Sequence, residues 1–160
     1  MAEPAINKKD EINKVVDEGI DKGIARLTPE KIKQVINKVL ASETGARLKA
    51  YVETCVHCGL CSEACHYYLS HDNDPKFSPA GKVKQTIWEI LKKKGNVDPE
   101  FIRNASRIAY TECNLCRRCA MYCPFGIDIA YLMSVVRRLC HMLGVTPLYI
   151  QDTAHSHSAT

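Results

Sequence analysis

Eight of the nine cysteines in this 160-residue chain fall into two copies of one spacing. The first is Cys55, Cys58, Cys61 and Cys65. The second is Cys113, Cys116, Cys119 and Cys123, followed at once by Pro124. This C-x2-C-x2-C-x3-C run is the ligand pattern of cubane iron–sulfur clusters. A cubane presents four iron corners, each needing one thiolate. Three cysteines at intervals of three wrap a short loop around three corners, and the fourth corner has to be capped from elsewhere. Two runs therefore predict two [4Fe–4S] clusters, and two clusters in one small domain point to electron transfer.

In two-cluster ferredoxins the fourth cysteine of each run ligates the other cluster. On that rule cluster 1 takes Cys55, Cys58, Cys61 and Cys123, and cluster 2 takes Cys113, Cys116, Cys119 and Cys65. Cross-donation makes metal binding and folding one event. Structural zinc also uses sets of four cysteines, but usually as separated C-x-x-C pairs rather than four in one short run. A disulfide framework needs an oxidising compartment, to which nothing in the chain points. A three-iron cluster is disfavoured because both runs keep all four cysteines.

The formal charge of +4 counts every cysteine as a neutral thiol. An oxidised cubane with four thiolates adds about −2, so two clusters bring the loaded chain near neutrality. Lysines and arginines are scattered, apart from Lys92 to Lys94 and the pairs 117–118 and 137–138. The lysine run precedes Gly95 at an expected helix end, where cations suit the dipole. Nucleic-acid binding is not expected. Met1 to Asn13 is polar and lacks the apolar core of a signal peptide. The longest apolar stretch, Ile127 to Leu143, is broken by Asp128, Arg137 and Arg138, so no span across a bilayer is expected. A cytoplasmic chain, reaching the membrane only through partner subunits, is the expectation. Paired carboxylates, a nucleophile–base set, G-x-G-x-x-G and a phosphate loop are all missing from the sequence. No catalytic residue is assigned, and the chain is not expected to be an enzyme on its own.

Outside the cysteine loops the pattern is helical. Ile12, Val15, Val16, Ile20, Ile24 and Leu27 recur at helical spacing from Glu11 to Leu27, in a helix weakened by Gly19 and Gly23. Thr28-Pro29 starts a second helix, carrying Ile32, Val35, Ile36, Val39 and Leu40 and ending near Gly45. A further helical turn or two, Arg47 to Glu53, leads into Cys55. His66 to Phe77 reads as a loop. Ser78-Pro79 begins a helix that buries Val83, Ile87, Trp88 and Leu91 and ends at Gly95-Asn96. Asp98-Pro99 begins another, running towards Cys113. A last helix from Asp128 carries Ile129, Leu132, Met133, Val136, Leu139, Cys140 and Leu143 and stops near Gly144. No convincing strand is found. The expected organisation is an N-terminal helical extension over residues 1–45, a cluster-binding domain over 46–146, and a tail or the start of a connecting segment over 147–160. The first 45 residues either pack over the cluster-binding body or dock on a partner.

The flanking residues carry a resemblance. Cys55-Val-His-Cys58-Gly59-Leu-Cys61, Cys65-His66-Tyr67-Tyr68-Leu69, Asp74-Pro75-Lys76 and Ser78-Pro79 look like one family, as do Cys113-Asn-Leu-Cys116-Arg117-Arg118-Cys119 and Tyr122-Cys123-Pro124-Phe125-Gly126-Ile127-Asp128. The chain resembles the dicluster domain of heterodisulfide-reductase-like iron–sulfur subunits, the C/D type found in respiratory membrane complexes of sulfate reducers. The resemblance covers about Arg47 to Tyr149. It implies an all-α helical ferredoxin fold with two pseudo-symmetric loop–helix halves. It also implies a quinone- or haem-bearing membrane partner and a catalytic heterodisulfide-reductase-like domain or protein. Larger members continue into a domain with Cys-Cys-Gly motifs, and this chain has no Cys-Cys pair, so the family's disulfide chemistry is not carried over. An iron–sulfur subunit of a succinate- or fumarate-type dehydrogenase is a second reading, opposed by the lack of cysteine in residues 1–54. A zinc-stabilised interaction scaffold is a third.

Several residues near the runs have both a functional and an ordinary reading. Gly59 allows a turn close to a cluster, and Pro124 redirects the chain. His66 and His57 either donate towards cluster sulfur or are surface histidines. Arg117 and Arg118 either offset cluster charge or meet an acidic partner. Tyr67, Tyr68 and Tyr122 are expected to pack over the clusters and keep water away. Cys140 is expected to be a buried free thiol. His155 and His157, two apart, fall on different helix faces and are not expected to bind metal.

Overall fold

The computed structural model describes residues 8–158, and no strand occurs among them. The side chains of Ile12, His155 and His157 lie outside the described set, as do residues 1–7. The chain is all-α, as expected. Its helices are α1 (Lys8–Ile24), α2 (Pro29–Leu40), α3 (Glu43–Thr54), α4 (Leu60–Glu63), α5 (His66–Leu69), α6 (Pro79–Val83), α7 (Glu89–Lys92), α8 (Pro99–Thr111), α9 (Arg118–Met121), α10 (Ile129–Leu143) and α11 (Leu148–Ser158). A 3-10 turn covers Pro75–Phe77, and a π-helical turn, Lys84–Trp88, joins α6 to α7.

Four of the expected starts are real caps. Thr28, Ser78, Asp98 and Asp128 each accept a hydrogen bond from the N–H three residues on. Each satisfies an orphan donor of the first turn. Gly144 ends α10 in the left-handed region, with φ 74°, where glycine carries no Cβ penalty.

The core is organised around α10. Leu132, Met133, Val136, Leu139, Cys140 and Leu143 are all buried along it. It packs against α8, whose Ala105 and Ala109 are small enough to let the two helices approach closely, and against α2 and α6. Buried Ser106 of α8 donates to the Val145 carbonyl at 2.8 Å, closing the bend after α10. Cys140 is buried, and burial pushes its thiol up to about 12. It is the inert free thiol expected from its place on the apolar face.

Several boundaries differ from the sequence reading. The second helix ends at Leu40, not near Gly45, and Gly45 sits in the first turn of α3. A Cβ there would lie 1.9 Å from the Leu40 carbonyl oxygen, so the glycine permits the tight α2–α3 bend. The segment His66 to Phe77 is not plain loop; it holds α5 and the 3-10 turn. In the helix after Ser78, Thr86 Oγ1 donates back to the Lys82 carbonyl at 2.7 Å, inside the π-turn. The extra residue of such a turn rotates the helical face. Lys82, Thr86, Ile87 and Ile90 are buried there, while Trp88 and Leu91 are only half-buried.

The N-terminal helices pack over the cysteine-bearing body. Val16, Ile20, Ile32, Ile36 and Val39 join the same core as α8 and α10. Val15, expected on the apolar face, is 41% exposed. Arg107 pairs with Asp17, and Arg103 with Asp21, across the α1–α8 contact. Gly19 and Gly23 do more than weaken a helix. A Cβ on Gly19 would lie 2.3 Å from the Leu148 backbone nitrogen, and one on Gly23 would lie 2.3 Å from the Gly144 carbonyl oxygen. The two glycines, one turn apart, form the groove in which the chain lies between α10 and α11.

Two effects oppose each other in Gly19→Ala and Gly23→Ala. Alanine gains up to about 1 kcal/mol of helix propensity, and overpacking against main chain costs about 1–3 kcal/mol. Because the obstacle is backbone, the clash should dominate. Urea denaturation of either variant should give a midpoint lowered by the equivalent of about 1–2 kcal/mol, and an unchanged or raised midpoint would contradict the packing.

Candidate iron–sulfur site

The two cysteine runs fold into the same backbone shape. In each, an amphipathic helix (α3 or α8) ends just before the first cysteine, and a one-turn helix (α4 or α9) carries the third. His57 and Gly59 have φ of 54° and 84°; Leu115 and Arg117, at the same offsets in the second run, have φ of 58° and 63°. Left-handed residues alternating with ordinary ones turn successive N–H groups to one side, making a concavity suited to an anion. For a leucine this conformation is costly, and such strain persists where the surroundings enforce it. Nothing lies within 4 Å of the position a Gly59 Cβ would take, so Gly59 is required by its dihedral alone. Arg117 meets the same demand without being glycine. Its guanidinium is anchored by Asp128 Oδ2 at 2.5 Å, while Asp128 Oδ1 caps α10 through the Tyr131 N–H.

Helices α4 and α9 touch, and this contact brings cysteines from different runs together. Burial raises the pKa of the Cys61 thiol, and nearby Cys55 and Cys123 raise it further. Cys119 is pushed up to about 12, mainly by burial, then by Cys113, Cys61, Cys116 and Cys65. The neighbours of Cys61 thus include the fourth cysteine of the other run, and so do those of Cys119. A positive iron core reverses this penalty, because a coordinating thiol is deprotonated outright.

A cavity of about 380 Å³ is lined by Cys65, Cys113, Cys116 and Cys119 together, with Leu115 and Met133 among its apolar walls. Four thiols from two runs around one cavity with apolar walls fit a cubane. The other tetrad does not line one cavity together. The adjoining cavity, about 350 Å³, is lined by Cys55 and His57 and by Tyr51, Val83 and Leu132, but not by Cys58, Cys61 or Cys123. Cys58 and Cys116, the second cysteine of each run, are both exposed. Among the described residues, no three Cys, His, Asp or Glu side chains converge on a single metal-ion position.

The sequence-level candidates around the loops separate clearly. His57 Nδ1 lies 3.8 Å from Cys55 Sγ. His66 is exposed, with its ring 4.4 Å from that of Tyr67. Arg117 is tied to Asp128 within the chain, and Arg118 is exposed at the start of α9. Tyr67 and Tyr68 are half-buried, but Tyr122 is 54% exposed and shields nothing. Val56, Leu60, Met121 and Phe125 are likewise exposed, each within two residues of a ligand-run cysteine.

Two positioning residues were missed from sequence. Lys82, 2% exposed, has Nζ 3.7 Å from Cys65 Sγ. Arg137 of α10 donates to the carbonyls of Ala109 and Cys113, with its guanidinium over the Tyr110 ring. Both look like surface charges among the chain's lysines and arginines. The available signal was register: Lys82 lies one turn from both Ser78 and Thr86, on a stripe next to the apolar one. Glu112, just before Cys113, is also partly buried. Burial pushes its carboxyl up, while Lys76 and Lys82 hold it down.

Residues 51–127 match the 4Fe-4S dicluster domain family. The chain is 28% identical over 151 residues to the Hdr-like menaquinol oxidoreductase iron-sulfur subunit 2 of Archaeoglobus fulgidus, a match covering 82% of this chain and 26% of that protein. It is 27% identical over 137 residues to the Hdr-like menaquinol oxidoreductase iron-sulfur subunit of Archaeoglobus profundus, covering 76% of this chain and 24% of that protein. The chain thus spans about a quarter of the length of these curated relatives. No solved structure matches it.

The two loops make opposite demands on glycine. Gly59→Ala should cost about 1 kcal/mol, the penalty of a left-handed non-glycine residue. Arg117→Gly removes that strain and loses only an exposed ion pair worth about 0–1 kcal/mol, so it should be close to neutral. Denaturation midpoints of the two variants, measured side by side, check the asymmetry.

Proposed function

We propose that this chain, whose residues 51–127 match the 4Fe-4S dicluster domain family, is the electron-transfer part of an oxidoreductase complex and relays single electrons through two [4Fe–4S] centres. Cys55, Cys58, Cys61 and Cys123 hold the first centre, and Cys113, Cys116, Cys119 and Cys65 the second. The observation that carries this reading is the crossing of the runs: Cys65 lines one cavity with the first three cysteines of the other run, and Cys123 neighbours Cys61. Bound clusters supply the one-electron chemistry, and the protein supplies burial, hydrogen bonds and charge.

The chain's own residues divide the work. The left-handed turns at His57, Gly59, Leu115 and Arg117 aim the loops. Arg137 fixes the main chain at Cys113, and the apolar walls from α6, α10 and Tyr67 keep water from the second centre. Helices α1 and α2 join the core of α8 and α10.

The exposed fringe of Val56, Leu60, Met121, Tyr122 and Phe125 is the face on which a redox partner docks, beside the exposed Cys58 and Cys116. The relatives are named as menaquinol oxidoreductase subunits, which supports a quinone-linked membrane partner on one side. A cytoplasmic redox protein or a heterodisulfide-reductase-like catalytic domain stands on the other. No described helix is long and apolar enough to cross a membrane, in keeping with peripheral association through partners.

Anaerobically purified protein should contain about eight irons and eight sulfides per chain, where a zinc scaffold would contain about two zincs. The crossing has its own test. Cys65→Ser should disturb the electron paramagnetic resonance signal of the second centre, and Cys123→Ser that of the first. Damage by each substitution to its own run's centre would refute the assignment.

A further inference from the structure

We propose that Lys82 is a fixed positive charge that raises the reduction potential of the centre held by Cys65, Cys113, Cys116 and Cys119. The inference rests on that ligand assignment. Lysine is almost never fully buried unless paired, and burying its charge is costly. Lys82 is nevertheless 2% exposed. Its Nζ lies 3.7 Å from Cys65 Sγ, donates to the main-chain carbonyl of Glu112, and stands 4.7 Å over the ring of Tyr67. Glu112 immediately precedes Cys113, so the ammonium lies between the two segments that supply one centre. A carbonyl and a ring face orient the charge, and the one acid facing it, the half-buried carboxyl of Glu112, is itself pushed up by burial.

The internal symmetry of the fold shows that packing alone does not call for lysine here. Ser78 and Asp128 are corresponding caps, each accepting from the N–H three residues on. Counting from them, Lys82 and Leu132 occupy the same helical position. Leu132 is 1% exposed and lines the cavity beside Cys55. One half of the molecule thus fills the position with an aliphatic side chain and the other with a buried cation. Replacing a buried charge by a similar apolar group is often neutral or stabilising, so folding by itself gives no reason to keep the lysine. Arg137, half-buried, is a second cation at this centre, held by the carbonyls of Ala109 and Cys113, but the other cations lining the two cavities are solvated. The Arg117 side chain is 69% exposed and paired with Asp128, and Lys84 is exposed.

The charge acts on a one-electron couple. Reduction takes a cubane with four thiolates from about −2 to about −3, with one electron accepted and no atom transferred. A cation a few ångströms away favours the more negative form. In a medium of effective dielectric about 20, a unit charge at that range biases the couple by at least about tenfold.

The test compares Lys82→Gln, which keeps a donor and loses the charge, with Lys82→Arg, which keeps the charge. Both are followed by mediated potentiometric titration of the two electron paramagnetic resonance signals. Wild-type protein with about eight irons and two titrating centres supports the ligand reading itself; without them that reading fails before Lys82 is tested. Given both centres, Lys82→Gln should lower the reduced-to-oxidised ratio of one centre at fixed potential by about tenfold or more, equivalent to about 59 mV per factor of ten. The other centre should move much less, and Lys82→Arg should stay near wild type. The proposal is overturned if neither couple moves, if both move equally, or if arginine shifts the couple as far as glutamine. It is also overturned if Lys82→Gln fails to retain its irons while Lys82→Met retains them with an unshifted couple, or if both neutral variants lose the centre, which would make Lys82 structural.

Discussion

The contact between α4 and α9 is the constraint on which the rest of the structure depends. Each is a single turn of helix, far too short to be stable alone. Each is preceded by a loop containing two left-handed residues. Their contact sets Cys61 beside Cys123 and Cys119 beside Cys65. Burial first, and the neighbouring cysteines after it, push the Cys119 thiol up to about 12. A thiol raised in this way is neutral at pH 7, and a positive iron core would deprotonate it. The long helices α8 and α10, with a continuous apolar core, hold the ends of the loops in place.

The two halves match in backbone more closely than in side chains. Helix, loop, one-turn helix and capped second helix occur twice in the same order. The departures lie where the chemistry is. Gly59 faces Arg117 across the pseudo-symmetry, and Leu132 faces Lys82. Arg117 is anchored to the acid that caps α10, so the second loop is tied to the core by a charge pair where the first has only a permissive glycine. The frame is duplicated, and the surroundings it holds are unequal.

Helices α1 and α2 extend the core through Val16, Ile20, Ile32, Ile36 and Val39. Gly19 and Gly23 let the chain between α10 and α11 lie against α1 at main-chain distance, and Gln151 Nε2 reaches the Gly19 carbonyl at 3.2 Å. In the second loop Met121, between Cys119 and Cys123, is 85% exposed.

Cysteine spacing and helical periodicity are local properties, so the features that rest on them were settled by the order of residues alone. Two equivalent ligand runs, an all-α frame, the caps at Thr28, Ser78, Asp98 and Asp128, and the burial of Cys140 are of this kind. Tertiary structure alone decided the features that need distant segments to meet. The use of Gly19 and Gly23 depends on the backbone at residues 144–148, and that of Gly45 on the Leu40 carbonyl. The exposure of Tyr122 depends on which face the cavities leave uncovered. The π-turn after Val83 rotates the chain beyond it in a way no 3.6-residue period anticipates, and on the stripe beside the expected apolar one Lys82 is buried. The part played by that lysine is invisible in one dimension, because the effect of a charge is defined by what surrounds it, and its surroundings come from Cys65, Tyr67 and Glu112.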